Sequence, residues 1–187
     1  VFSLSKLLRY SLDGSREQVT LKEDLGHLNN YLSILEMRFG SRFEYKIDIA
    51  PECMQCLIPK LVLQPMIENS VKYGFGNQLN LHVELKAYIH EEKLMMICRD
   101  DGVGMSAAMV EKLCALMNQK EAPGRHSGLY NIHRRIQLLY GYPYGVEIRS
   151  LEGHGTTLVV TLPAVAEKNV HSVQGDNNDA SGNDSGR

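Results

Sequence analysis

No stretch of the 187 residues approaches the roughly 20 consecutive apolar residues that a membrane-spanning helix needs, and Val1 opens no signal-peptide pattern. Nor is there an excess of charge. Against 20 Lys and Arg stand 22 Asp and Glu, a formal charge of −2. That balance supplies no basic field to draw in nucleic acid, so nucleic acid is not an expected partner. Cysteine is scarce, with four residues. Cys53-Met54-Gln55-Cys56 has the spacing of half a zinc site or of a redox pair, but Cys98 and Cys114 form no second pair. Buried or incidental thiols are the expectation. No internal repeat appears. At 43% hydrophobic and 22% charged residues, the composition is that of an ordinary globular domain, and the expected location is the cytosol.

What is present is a succession of short periodic segments. Residues 3–12 read as a helix with Leu4, Leu7, Leu8 and Leu12 on one side, broken at Asp13-Gly14-Ser15. Thr20 with Glu23 forms a capping-box signature for a second helix, whose Leu21, Leu25, Leu28, Leu32, Leu35 and Phe39 make an apolar stripe ending at Gly40. His27 lies in this helix as a structural residue. Phe43 to Ile49 alternates like a half-buried strand. Pro59 is expected to start a helix carrying Leu61, Leu63, Met66, Ile67 and Val71, with Pro65 kinking it or marking its true start. Leu79 to Ile89 and Leu94 to Cys98 read as a hairpin across Glu91-Glu92-Lys93. Ser106 caps a helix with Met109, Val110, Leu113 and Met117 inward. Asn118–Ser127 reads as a loop, and Leu129, Ile132, Ile136 and Leu139 as a helix stopped at Gly141. A last hairpin spans residues 146–162, and Ala164–Arg187, poor in apolar residues, is expected to be disordered. Hairpins mixed with separate helices predict an α+β fold, a two-layer sandwich of a mostly antiparallel mixed sheet with helices on one face.

The chemistry concentrates at Asp100-Asp101-Gly102-Val103-Gly104-Met105, at the end of the second hairpin strand. A carboxylate followed by two glycines one residue apart gives a loop whose backbone can approach a flat ligand, with a charged acceptor for an exocyclic amine. Alone, such a stretch equally makes a strand turn. Three more stretches accompany it: Glu68-Asn69-Ser70-Val71-Lys72-Tyr73-Gly74, Ser127-Gly128-Leu129-Tyr130-Asn131, and Gly153-His154-Gly155-Thr156. In this order they resemble the asparagine box and the three glycine boxes of the GHKL (Bergerat) ATP-binding fold. Leu4-Ser5-Lys6-Leu7-Leu8-Arg9-Tyr10, Tyr31-Leu32, Glu36-Met37-Arg38-Phe39, Ile58-Pro59 and Leu63-Gln64-Pro65 narrow the resemblance to the LytS-type sensor histidine kinases. It covers about residues 3–163.

The resemblance implies the ATP-binding catalytic domain of a two-component kinase over residues 41–163. Residues 1–40 would then close the dimerisation and phosphoacceptor region, ahead of a disordered tail over 164–187. It implies that Asn69 holds Mg2+, that Glu68 orients a water or the attacking group, and that Lys72 balances phosphate charge. ATP would be held by Asn69, Lys72, Tyr73, Asp100, Gly102, Gly104, Met105, Gly128, Leu129 and Thr156. Asp100 would take the adenine amine, with Thr156 supporting it through a water, and Met105–Ser127 would form a lid. Asn131 and Arg135 match the family's Asn and Arg. The sequence departs from the family with Tyr73 for His, Asp101 for Asn and His126 for Gly, changes that bear on catalytic rate more than on nucleotide binding. The phosphoacceptor motif of the subfamily is not in these residues. The expectation is therefore a piece of a longer, membrane-anchored and homodimeric bacterial kinase, which binds ATP without phosphorylating itself and whose partners are its own dimerisation helices and a response regulator. A nucleotide-binding or partner-binding module that has lost transfer is the alternative.

Overall fold

The computed structural model describes residues 17–119 and 128–166. The helix expected over 3–12, most of the loop expected over Asn118–Ser127 and the tail beyond residue 166 lie outside the described residues.

β1 (Gln18–Thr20) runs directly into α1 (Leu21–Phe39). The Thr20 hydroxyl accepts the Glu23 amide, and the Glu23 carboxylate accepts the Thr20 amide at 2.8 Å, the reciprocal cap that the sequence predicts. Gly40, at a φ of 56°, ends the helix. Leu21, Leu28, Leu32 and Leu35 are its buried stripe. Because the cap satisfies amides that the helix cannot satisfy itself, Thr20→Ala is expected to cost about 1 kcal/mol. Thermal denaturation followed by circular dichroism should show a midpoint lower by about 2–4 °C.

β2 (Phe43–Ile49) is followed by β3 (Leu57–Pro59), which pairs antiparallel with β1. The sequence reading expects Pro59 to open a helix; instead it closes β3, and α2 (Leu63–Gly74) begins four residues later with Pro65 in its first turn. The physical reason is Leu61, whose left-handed φ of 60° cannot belong to a right-handed helix.

β4 (Leu81–His90) and β5 (Lys93–Asp100) form the expected hairpin, turning at Glu91 and Glu92. α3 (Ala107–Met117), capped by Ser106, and α4 (Gly128–Tyr140) precede the last hairpin, β6 (Gly145–Ser150) and β7 (Thr156–Pro163). The five-stranded sheet runs β2-β4-β5-β7-β6, and only the β2–β4 pair is parallel. Along β4 and β5 alternate residues are buried: Leu81, Val83, Leu85 and Ala87, then Leu94, Met96, Cys98 and Asp100. That face shares one core with Leu28, Leu32, Met66, Ile67, Ile132 and Ile136 from the helices. The result is a two-layer α+β sandwich. Two details differ from expectation. Met109 of α3 is 44% exposed rather than buried, and Leu139 of α4 is also exposed, because α4 buries Leu129, Tyr130, Ile132 and Ile136 instead. Past β7, the Leu57 amide donates to the Val165 carbonyl and Ala166 bridges to Cys56, so the chain is still paired where the expected tail begins.

Candidate functional site

Strand parity delivers a charge to the core side of the sheet. Asp100 follows Leu94, Met96 and Cys98 on the inward face of β5 and is only 3% exposed. A buried carboxylate needs donors, and three neighbours supply them. Its Oδ1 accepts the Gly102 amide at 3.1 Å and the Thr156 amide at 3.0 Å, and its Oδ2 accepts the Ser70 hydroxyl at 2.8 Å. Burial pushes the Asp100 carboxyl above its ordinary value, and these three hydrogen bonds pull against that push. A carboxylate has about four acceptor positions. The protein fills three, two on Oδ1 and one on Oδ2, which leaves one acceptor position on Oδ2.

The loop around Asp100 is built from close backbone approaches. A side chain at Gly102 would collide with the backbone of Gly74 in α2, and the Val103 amide donates to the Gly74 carbonyl at 2.9 Å. Gly104 lies against the Leu151 carbonyl at a φ of 65°, a backbone geometry that favours glycine. The Met105 amide donates to Ser150 Oγ, which donates in turn to the Gly155 carbonyl and shares a hydrogen bond with Thr156 Oγ1. Thr156 therefore supports Asp100 directly, through its backbone amide.

Beside this cluster lies a cavity of about 180 Å³ lined by Asn69, Tyr73, Gly104, Met105 and Leu129, together with Met109, Leu113, Met117 and Tyr130. Five residues expected to hold a ligand are thus gathered around one space. Asp100, Gly102 and Thr156 are not among its lining residues; Ser70, which donates to Asp100, and Gly74, against which Gly102 packs, directly follow the wall residues Asn69 and Tyr73 in α2. Glu68 and Lys72 are not among its lining residues: the Glu68 carboxylate accepts from Gln64 at 2.7 Å, and the Lys72 ammonium lies 4.8 Å from the Tyr73 ring centroid. Gly128 opens α4 at the surface, with Pro65 3.0 Å from where its Cβ would be. Arg135 donates to the Lys60 carbonyl, an anchor between α4 and the start of α2.

Sequence reasoning passed over Ser70 and Tyr130. Ser70 stands inside a recognised box, and the signal was there: a small hydroxyl on the inward side of a helix next to a buried acceptor's strand. Tyr130 could have been found by its place on the buried stripe of α4. The cysteines add no centre of their own. Cys53, Cys56 and Cys98 are buried free thiols, and burial pushes Cys53 up to about 11 and Cys98 up to about 12, which keeps both protonated.

Residues 57–166 match the family model for the histidine kinase-, DNA gyrase B- and HSP90-like ATPases, and residues 1–43 match a model described as histidine kinase. Among curated proteins, the sensor histidine kinase YesM of Bacillus subtilis is 34% identical over 166 residues, covering 87% of this chain and 27% of that protein. The sensor protein kinase HptS of Staphylococcus aureus is 29% identical over 163 residues, covering 87% of this chain and 31% of the relative. The chain thus spans less than a third of the length of either relative. Among solved structures, the catalytic domain of the histidine kinase ThkA aligns with a TM-score of 0.60 at 14% identity, covering 79% of this chain and 96% of that one. The histidine kinase domain of the Erythrobacter litoralis blue-light activated kinase aligns at 0.55 with 16% identity, covering 87% and 72%. At these identities the likeness is one of fold.

Proposed function

The chain belongs to the histidine kinase-, DNA gyrase B- and HSP90-like ATPase family, and from that premise we propose that residues 41–163 act as the ATP-binding catalytic domain of a LytS-type two-component sensor kinase. The γ-phosphoryl group would pass from ATP to a histidine on the dimerisation helices and from there to a response regulator. The whole kinase would be a membrane-anchored bacterial homodimer with this domain on its cytoplasmic side, and residues 1–40 would join it to the dimerisation helices. No helix among the described residues is long and apolar enough to cross a membrane.

The observation that carries the reading is the gathering of Asn69, Tyr73, Gly104, Met105 and Leu129 around one cavity, while Asp100 Oδ2, bonded to the Ser70 hydroxyl one residue after Asn69, keeps one acceptor position. An adenine amine donates a hydrogen bond and suits that position; a charged acceptor gives the stronger bond. Gly102 and Gly104 let backbone close around the ring, and Met105 and Leu129 supply apolar walls. A site that encloses a whole ligand usually measures about 300–1,000 Å³, so the cavity of about 180 Å³ has to widen. α3, which contributes Met109, Leu113 and Met117 to the wall, is the element to move. Gly128, at the start of α4, presents helix-terminal amides suited to phosphate oxygens.

Magnesium fits the donor set at Asn69. It prefers oxygen ligands and usually takes one or two protein groups beside phosphates and waters. No group of three or more His, Cys, Asp or Glu among the described residues could hold a metal by itself, so the ion belongs with the nucleotide, where it neutralises phosphate charge. Glu68 would orient the attacking group and Lys72 would offset charge, each after turning from its present partner.

Titration calorimetry with and without magnesium tests the pocket. Asn69→Ala is expected to abolish the gain in ATP affinity that magnesium brings, with magnesium-free affinity changed less than about threefold, under 1 kcal/mol. An undiminished magnesium effect would remove Asn69 from the metal. The alternative, a module that keeps nucleotide without transferring phosphate, is favoured by one observation: the Lys72 ammonium sits on the Tyr73 ring. Phosphotransfer to an added dimerisation segment separates the two readings.

A further inference from the structure

Asp24 is 2% exposed and lies outside the cavity. It sits in the first turn of α1, yet its carboxylate reaches the start of another helix. Oδ1 accepts the Leu61 amide at 2.8 Å, and Oδ2 accepts those of Val62 and Leu63 at 3.1 and 2.9 Å. The first amides of a helix have no partner inside it, and α2 has no side-chain cap of its own at Val62. α1 therefore supplies the missing cap of α2, as a negative charge at the positive end of the helix dipole. Burial pushes the Asp24 carboxyl up, while the three amides and Arg135 pull it down. Arg135 meanwhile binds the Lys60 carbonyl, so α1, α2 and α4 meet at residues 60–63.

The helix held at this end is the one that builds the site. It places Asn69 in the cavity wall, Ser70 on Asp100, and the Gly74 carbonyl on the Val103 amide. α1 lies in the segment that matches the histidine kinase model, α2 in the segment that matches the ATPase model. We propose that Asp24 is a positioning residue for the nucleotide site, through which the segment ahead of the ATPase region sets the placement of α2. The proposal rests on the ATP reading above. It gives the Asp24 carboxylate a role beyond holding the fold, because a shift at residues 61–63 is carried along α2 to Asn69, Ser70 and Gly74 together.

The test uses the full chain and compares Asp24→Asn, Asp24→Ser and Leu25→Ala, the last a partly buried residue of the same helix that leaves the cap intact. ATP affinity, thermal midpoint and amide exchange at Gly102 and Val103 are measured well below the midpoint. Asp24→Asn keeps the shape but turns an acceptor oxygen into a donor that faces backbone amides. About a tenfold loss of ATP affinity is expected, in the range of coupling between contacting elements, with faster exchange at Val103. Leu25→Ala, at a similar drop in midpoint, should change neither. If affinity and exchange follow the midpoint alone across the variants, Asp24 is a stability residue and the proposal is overturned. If Asp24→Asn does not fold, Asp24→Ser, which retains one small acceptor, carries the comparison. A parent chain that binds no ATP would bring down the ATP reading instead, and exchange at Val103 would then decide the placement of α2: unchanged exchange in Asp24→Asn overturns the proposal.

Discussion

Asp100→Asn is expected to leave the chain folded and to weaken ATP binding by about a hundredfold. Both halves follow from the three hydrogen bonds. In the variant, the side-chain oxygen can keep the Gly102 and Thr156 amides on the Oδ1 position, while the new NH2 group donates to Ser70 Oγ. Ser70 can then turn its own proton toward Cys98 Sγ, 3.8 Å away. No group of the parent chain loses its partner, and the charge that burial disfavours is gone, which offsets the one new N–H left without a partner, so the fold should hold. The ligand sees the opposite. The free acceptor on Oδ2 has become a donor, aimed at the adenine amine. Losing a hydrogen bond to a charged group costs about 1.5–3 kcal/mol, and an unpaired buried donor about 1–3 kcal/mol more. Even the smaller sum, about 2.5 kcal/mol, approaches a hundredfold. Calorimetry and thermal melts read the two halves separately. An unfolded variant would make Asp100 a structural keystone, and intact binding would take it out of the adenine pocket.

A pH dependence accompanies this. The folded Asp100 carboxyl lies above its unfolded value, mainly because it is buried. Its contribution to stability is thus full below the unfolded value and is lost as pH rises through the folded one. ATP binding runs the other way, since it uses the ionised acceptor. Affinity should fall as pH drops through the raised value, and Asp100→Asn should lack that fall.

The sequence made the layers of this fold readable wherever period and cap coincide: the Thr20–Glu23 box, the leucine stripe of α1, the alternation of β4 and β5. The boxes around Asn69, Asp100 and Thr156 were equally readable, because glycines at close backbone approaches leave a local signature. What was not readable depends on contacts distant in sequence. A strand of three residues such as β3 has no period to detect, and its partner β1 lies some 40 residues away. The left-handed Leu61 cannot be told from composition, since leucine rarely adopts that geometry. An acidic residue in a helix's first turn, as Asp24 is, stands in a favourable place on dipole grounds alone, so nothing in the sequence sets it apart. Only the fold shows that it serves α2 rather than α1. For Ser70 the signal is one of place only, since helix spacing sets it inward without naming what it meets.

The Gly153-His154-Gly155-Thr156 stretch gives two glycines that one motif treats alike, and the structure separates them. Both have left-handed backbones, at φ of 78° and 83°. A Cβ at Gly153 would meet nothing within 4 Å, whereas one at Gly155 would run into the Asp100 carbonyl oxygen and come within 3.0 Å of Asp101 Cα. Backbone cannot swing aside as a side chain can. Gly153→Ala should therefore cost only the left-handed strain, about 1–2 kcal/mol. Gly155→Ala adds overpacking of about 1–3 kcal/mol and should lose about 3 kcal/mol or more, a drop in thermal midpoint on the order of 6–12 °C. The relief open to it is to part the end of β5 from the start of β7. That same movement draws the Thr156 amide away from Asp100 Oδ1, 3.0 Å in the parent chain, so ATP affinity should fall with stability at Gly155 and stay near the parent value at Gly153. Urea unfolding of the two variants, with ATP titrations beside it, measures both. Equal losses of stability would mean that backbone geometry alone, not the close approach to Asp100, is what requires glycine at this turn.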